Sequence, residues 1–378
     1  MNSDSMISQN VKPPKETLAK PSAVQLAAFK EQMAKLKASL PAGFLKEMQD
    51  NRRFIQKMDP QYQEMVLRAM KIEAATCNGN TMLNQLLNQQ LADWDADLFD
   101  YVFNWFDAIS LPFYYSIIYE NNSANQRFGV NGEYTQTVIK TFKDLKRFWN
   151  IQTNGMVMVP MHGSTLRDRD KLIKTYMNAY IGINQKLAEW LADGVLSLLA
   201  QYPQLMNGDH PIFTFNAYSS PGFNLPGVGL IPPKIIMGDG IMEGYTAIGY
   251  GDIAPQAILA HEFGHQIQFQ LGVFTDENTP EETRRTELMA DAYSAYYLSH
   301  ARGASMQWKR IRQFLQVFFN IGDCQTTSPG HHGTPNQRMA AAEWAYNLAN
   351  DAQKQGHILS SQEFTALFGA ALPQILNH

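Results

Sequence analysis

Apolar residues recur at three- and four-residue intervals along most of this chain, so the sequence reads as mainly helical. Ala27, Met33, Leu36 and Leu40 mark a first helix that Pro41 breaks. Met65, Leu67, Met70 and Ile72 mark a second, and 83–98 a third. The stretch 114–119 fits strand or helix, and 135–149 is helical again. Residues 168–202 predict two helices with a break near Gly182. Short apolar runs at 156–160, 211–217, 234–237 and 244–249 predict strands, while 219–233, rich in Pro and Gly, predicts loop. Asp252 is placed to cap a helix over 252–271, with Pro255 tolerated in its first turn. Further helices are expected over 281–300, 306–319 and 337–351. The fold class is therefore α+β and mostly helical, a helical N-terminal part packed on a small sheet and later helices.

Composition narrows the functions. Of 378 residues, 45% are hydrophobic and 11% aromatic, which suits a globular protein and excludes a disordered one. A net charge of -4 with no Lys/Arg cluster excludes a nucleic-acid partner. No apolar run reaches the length of a transmembrane segment. Residues 1–22 are polar and proline-bearing and read as a disordered tether. Such tethers follow a lipid-anchored or cleaved start, which favours an exported location over a cytoplasmic one. Two cysteines, Cys77 and Cys324, are too few for a disulfide framework, and either a bridge or two free thiols is compatible with them. The expected division is a tether to 22, a helical region over 23–210 and a second region over 211–378, where the sequence changes character after Gly208.

The chemistry concentrates in His261-Glu262-Phe263-Gly264-His265. On a helix the two histidines share a face one turn apart, so both imidazoles reach one zinc ion. Glu262 projects beside them toward a metal-bound water. A catalytic zinc needs a third protein ligand and one open position. The following helix offers Glu287, 22 residues after His265, and Asp291 one turn later, placed to accept a hydrogen bond from His261. A third stretch, His331 to Arg338, opens a loop with histidine and starts a helix with arginine, a pair suited to an oxyanion or a carboxylate. His162, Ser164 and Asp168 lie too close in sequence, without a nucleophile elbow, to form a serine triad.

These three motifs resemble those of the bacterial putative neutral zinc metallopeptidases, a gluzincin-type family. The match runs through residues 251–272, then Glu287 to Asp291 with Ala292 and Tyr293, then HGTPNQR at 332–338. Similar downstream His and Arg residues occur in other gluzincins. The resemblance implies a zincin-like core and one Zn2+ per chain on His261, His265 and Glu287. It further implies Glu262 as general base, Asp291 as the orienting carboxylate, and His332 and Arg338 at the transition state or substrate. The first two hundred residues lie outside it, so substrate choice is not carried over.

The expected reaction is hydrolysis of a peptide or protein substrate. Glu262 takes a proton from the metal-activated water and passes it to the leaving amine. His332, or alternatively Tyr245, donates to the oxyanion. The strand at 244–249 or at 211–217 is expected to receive the substrate as an added strand. The alternatives are a non-catalytic binding or envelope protein on a peptidase scaffold, and a zinc amidase acting on cell-wall peptides.

Overall fold

The computed structural model describes residues 21–40, 43–50, 81–274, 279–321 and 333–378. The expected helix at 65–72, both cysteines and His332 lie outside the described residues. Helix α1 (Ala23–Ser39) opens with a capping box between Ser22 and Gln25. It is followed by α2 (Phe44–Asp50), α3 (Met82–Gln90), α4 (Ala96–Asp100), α5 (Leu111–Tyr119) and α6 (Thr135–Phe148). Strand β1 (Val157–Met161) leads to α7 (Arg169–Ala179) and α8 (Gln185–Gln201), separated around Gly182. Asp168 and Asn184 cap these two helices by accepting from Lys171 and Leu187 backbone N–H groups.

Next come β2 (Ala217–Ser220), β3 (Phe223–Leu225), β4 (Gly229–Ile231) and β5 (Lys234–Gly238). Helices α9 (Asp239–Ala247), α10 (Ala254–Leu271), α11 (Pro280–Ser299), α12 (Trp308–Ile321), α13 (Pro335–Lys354) and α14 (Ser361–Ile375) complete the chain. The main sheet has the order β1-β5-β2, with β5 parallel to β1 and antiparallel to β2. Every residue of β5 is buried, as the middle strand of a covered sheet requires. Because β1 precedes residue 210 and β5 follows it, the sheet joins the two expected regions, and one contiguous hydrophobic core runs through both. Among the described residues no helix is long and apolar enough to cross a membrane.

Four sequence expectations give way. Residues 211–217 are not one strand: Pro211–Thr214 is a 3-10 turn started by His210, which accepts from Ile212 N–H, and the strand begins at Ala217. Residues 244–249 are not a strand, because Ile241, Met242 and Tyr245 are buried at helical spacing within α9. The loop at 219–233 contains the β3-β4 hairpin, whose tip uses Gly227 (φ 84) and Gly229 (φ 111). Asp252 does not cap α10. Ile253 occupies that position without a side-chain bond, and Asp252 pairs instead with Arg310. The ambiguity at 114–119 resolves as helix, with Leu111 to Ile118 all buried. Helix α14 extends beyond the last helix expected from the sequence and opens with a Ser360–Glu363 capping box.

Candidate metal centre

Helix α10 is buried almost throughout, between the sheet on one side and α11 on the other. Gln266 ties it to the sheet, donating through Nε2 to Ser219 Oγ, Ser220 O and Lys234 O at 2.7, 2.8 and 3.1 Å. Its contact with α11 runs over small residues. A Cβ built on Gly264 would lie 3.1 Å from Ala290 Cα and 3.2 Å from Tyr293 Cβ. One turn or two away, Ser294 Oγ donates to Ala257 O at 2.8 Å. This close approach carries Glu287, one helical turn before Asp291, across to the histidine face of α10.

The result is a compact donor set. His261 Nε2 and His265 Nε2 are 3.2 Å apart. Glu287 Oε2 lies 3.2 Å from His261 Nε2, and Glu287 Oε1 lies 3.3 Å from His265 Nε2. The two Glu287 distances end on different carboxylate oxygens, and with one donor atom from each residue the three lie within 4.8 Å of one another, close enough to share one ion. Among the described residues this is the one group of His, Cys, Asp or Glu side chains close enough to share a metal ion. Side-chain exposure is 8% for His261 and 12% for both His265 and Glu287, so the site is covered without being sealed. Two imidazoles and a carboxylate suit a borderline transition metal and do not suit calcium or magnesium, which take oxygen ligands.

Both imidazoles are held in the tautomer a metal needs. The Asp291 carboxylate accepts from His261 Nδ1 at 2.8 Å. The Gln268 side-chain oxygen accepts from His265 Nδ1 at 2.8 Å, while Gln268 Nε2 donates to Thr286 O at 2.6 Å. Each Nδ1 therefore carries the proton and each Nε2 is left to the centre. Gln268 was not singled out from the sequence. Its signal was only its place three residues after His265 on the same helix. Asp291 is in turn gripped by Arg338, whose Nε donates to Oδ2 at 2.6 Å and whose Nη2 donates to Oδ1. Without an ion, burial pushes the His261 imidazole down, but Asp291 and Glu287 outweigh it and lift it to about 10. His265 is also raised: burial opposes its charge, and Glu287 prevails. An ion therefore displaces protons when it enters.

The remaining sequence candidates fall in different places. Glu262 sits between the two histidines, 7% exposed, and its charge acts on His265. Arg338 is 1% exposed and bonded to Asp291, the carboxylate that holds His261. Its helix start is fixed by Thr334 and Gln337, whose side chains each accept from the other's backbone N–H at 3.2 Å. Tyr245 is fully buried on α9, within electrostatic reach of Arg338 and Asp291. Burial holds its phenol above the ordinary range despite the arginine. His162, read as a turn residue, bonds through Nδ1 to Asp239 Oδ2 at 2.6 Å, apart from the metal group.

No family model matches this chain, and no curated protein or solved structure matches it.

Proposed function

We propose that this protein is a zinc-dependent peptidase of the gluzincin type, with a zincin-like core formed by the β1-β5-β2 sheet, α10 and α11. The observation that carries the reading is the centre itself: one donor atom each from His261, His265 and Glu287 within 4.8 Å of one another, with both histidine Nδ1 atoms already tied to acceptors. The residues fit zinc in number, type and spacing. Zinc bound there supplies Lewis acidity, which acidifies water and polarises a carbonyl. His261, His265 and Glu287 hold the ion, and Asp291 and Gln268 fix the rings.

Glu262 is the general base, since it stands between the two histidines on the same helix and its charge reaches His265. It accepts the proton of the attacking water and delivers it to the leaving amine. Among the described residues β2 is an edge strand packed against α10, so an extended peptide has a place to add along it. This replaces both segments expected from the sequence. The substrate is a peptide or protein.

Elemental analysis of the native protein beside Glu287→Ala and Glu262→Gln tests the reading. About one zinc per native chain and per Glu262→Gln chain is expected, with most lost from Glu287→Ala. Glu262→Gln should retain zinc and lose about 10²–10⁴-fold in peptide hydrolysis. A native protein that takes up no zinc when zinc is offered would leave the non-catalytic reading in its place. Zinc uptake with cleavage of muropeptides only would make it an amidase.

A further inference from the structure

The chain leaves α10 through a tight reversal. Gly272 adopts φ 63, its N–H donates to Phe269 O at 3.3 Å, and Val273 N–H donates to Gln268 O at 3.0 Å. Arg285 Nη2 then donates to Val273 O at 2.6 Å and pins the segment to α11. The reversal sends Phe274 back along the helix it has just left. Its ring stacks on Phe269, with centroids 4.7 Å apart and planes 23° apart. It also lies 6.3 Å from the His265 imidazole. His261, His265 and Phe269 are spaced by four, so they form one row on α10, and Phe274 extends that row outward.

Phe274 is 39% exposed, which for a lone surface phenylalanine needs no explanation. Its position sets it apart: the ring stands 6.3 Å from the His265 imidazole, at the edge of the candidate metal group. Arg285, the charged group that holds the reversal, is matched by Glu282. The wall therefore offers apolar area and no unmatched charge from that residue.

We infer that Phe274, backed by Phe269, forms the apolar wall of a side-chain subsite. The enzyme then prefers a large apolar or aromatic residue beside the scissile bond. The inference rests on the peptidase reading above. Phe274 is a specificity residue with no part in the proton transfers, so its loss alters which ligands bind and leaves the centre intact.

The test uses the zinc-loaded full-length protein and two probes, acetohydroxamate and phenylacetohydroxamate, which share the metal-binding head and differ by an aromatic ring. Affinities are measured by calorimetry for the native protein, Phe274→Ala and Phe274→Leu. The native protein should bind the aromatic probe about tenfold more tightly or better, a discrimination one apolar contact can supply. In Phe274→Ala the two affinities should converge, with zinc content and acetohydroxamate affinity unchanged. Phe274→Leu should keep part of the preference. An unchanged preference in Phe274→Ala overturns the inference alone. Failure of the aromatic probe alone to bind the native protein also overturns the inference alone; failure of both probes removes the metal-site reading, and the inference with it.

Discussion

Two side-chain oxygens decide which nitrogen each histidine offers. Asp291 holds His261, and Gln268 holds His265. The two supports differ in what lies behind them. Gln268 passes its amide to a backbone carbonyl, whereas Asp291 also neutralises a fully buried arginine. Asp291→Asn should therefore do two things. Zinc affinity should fall about 10–100-fold, as for other changes behind a metal ligand. The fold should also lose about 3–5 kcal/mol, because the buried Arg338 loses the carboxylate it is bonded to. Gln268→Leu should weaken zinc similarly with a much smaller loss of stability. Zinc titration with a competing chelator, beside urea unfolding of the zinc-free proteins, reads both effects. Equal stability losses in the two variants would show that the arginine pair is not what distinguishes them. Of these supports, Asp291 was legible because it stands one turn after a candidate ligand. Gln268 was not, because it alternates with Gln266 and Gln270 in a glutamine-rich stretch and only the fold tells them apart.

Between elements, the site depends on how near α10 and α11 come. Gly264 faces the backbone of Ala290, and a methyl group there would already sit at 3.1–3.3 Å from α11 atoms. A branched side chain cannot fit without moving a helix. Gly264→Val should destabilise the protein by about 1–3 kcal/mol, the usual range for overpacking. It should also reduce zinc uptake, because Glu287 travels with α11 while the histidines stay on α10. Loss of stability with full zinc affinity would mean that the helices yield without disturbing the donors. The same closeness explains what the sequence hid. In α5 and α10 nearly every position is buried, so the polar face that reveals a helix is missing. Helix α10 was readable anyway from its motif. Strand-like composition misled at 244–249, where Tyr245 belongs to a short helix whose register is set by tertiary burial and which Ile248 ends. The amphipathic helices α6 to α8, the last two capped by Asp168 and Asn184, were legible close to their ends.

At the scale of the molecule, the regions on either side of residue 210 share one sheet, and their meeting place carries buried carboxylates. No local signal announces such a junction, because β1 and β5 are distant in sequence and pair only in the fold. Met161 and Gly238 end the parallel pair side by side, which brings His162 beside Asp239. Glu243 follows Asp239 by one turn of α9. Burial, and then the negative charges of Glu133, Asp239 and Asp209, push its carboxyl up to about 7. His162 bonds to Asp239 but leaves Glu243 with a net acidic surround. The unfolded chain restores an ordinary value of 4.5. Between these two values the folded protein holds the proton that the unfolded chain has released. Glu243 therefore contributes its full stability below about 4.5 and loses it as pH rises through about 7. Above that pH the fold carries an ionised carboxylate among carboxylates, at a cost of about 1–3 kcal/mol. Glu243→Gln keeps the shape and removes the charge. Its urea midpoint should match the native protein's near pH 4.5 and exceed it near pH 8, with most of the divergence between pH 5 and 7.5. A constant difference at every pH would show that the glutamine acts through packing and that Glu243 does not titrate at the junction. A native protein more stable than the variant at pH 8 would reverse the sign and place an unassigned cation beside it.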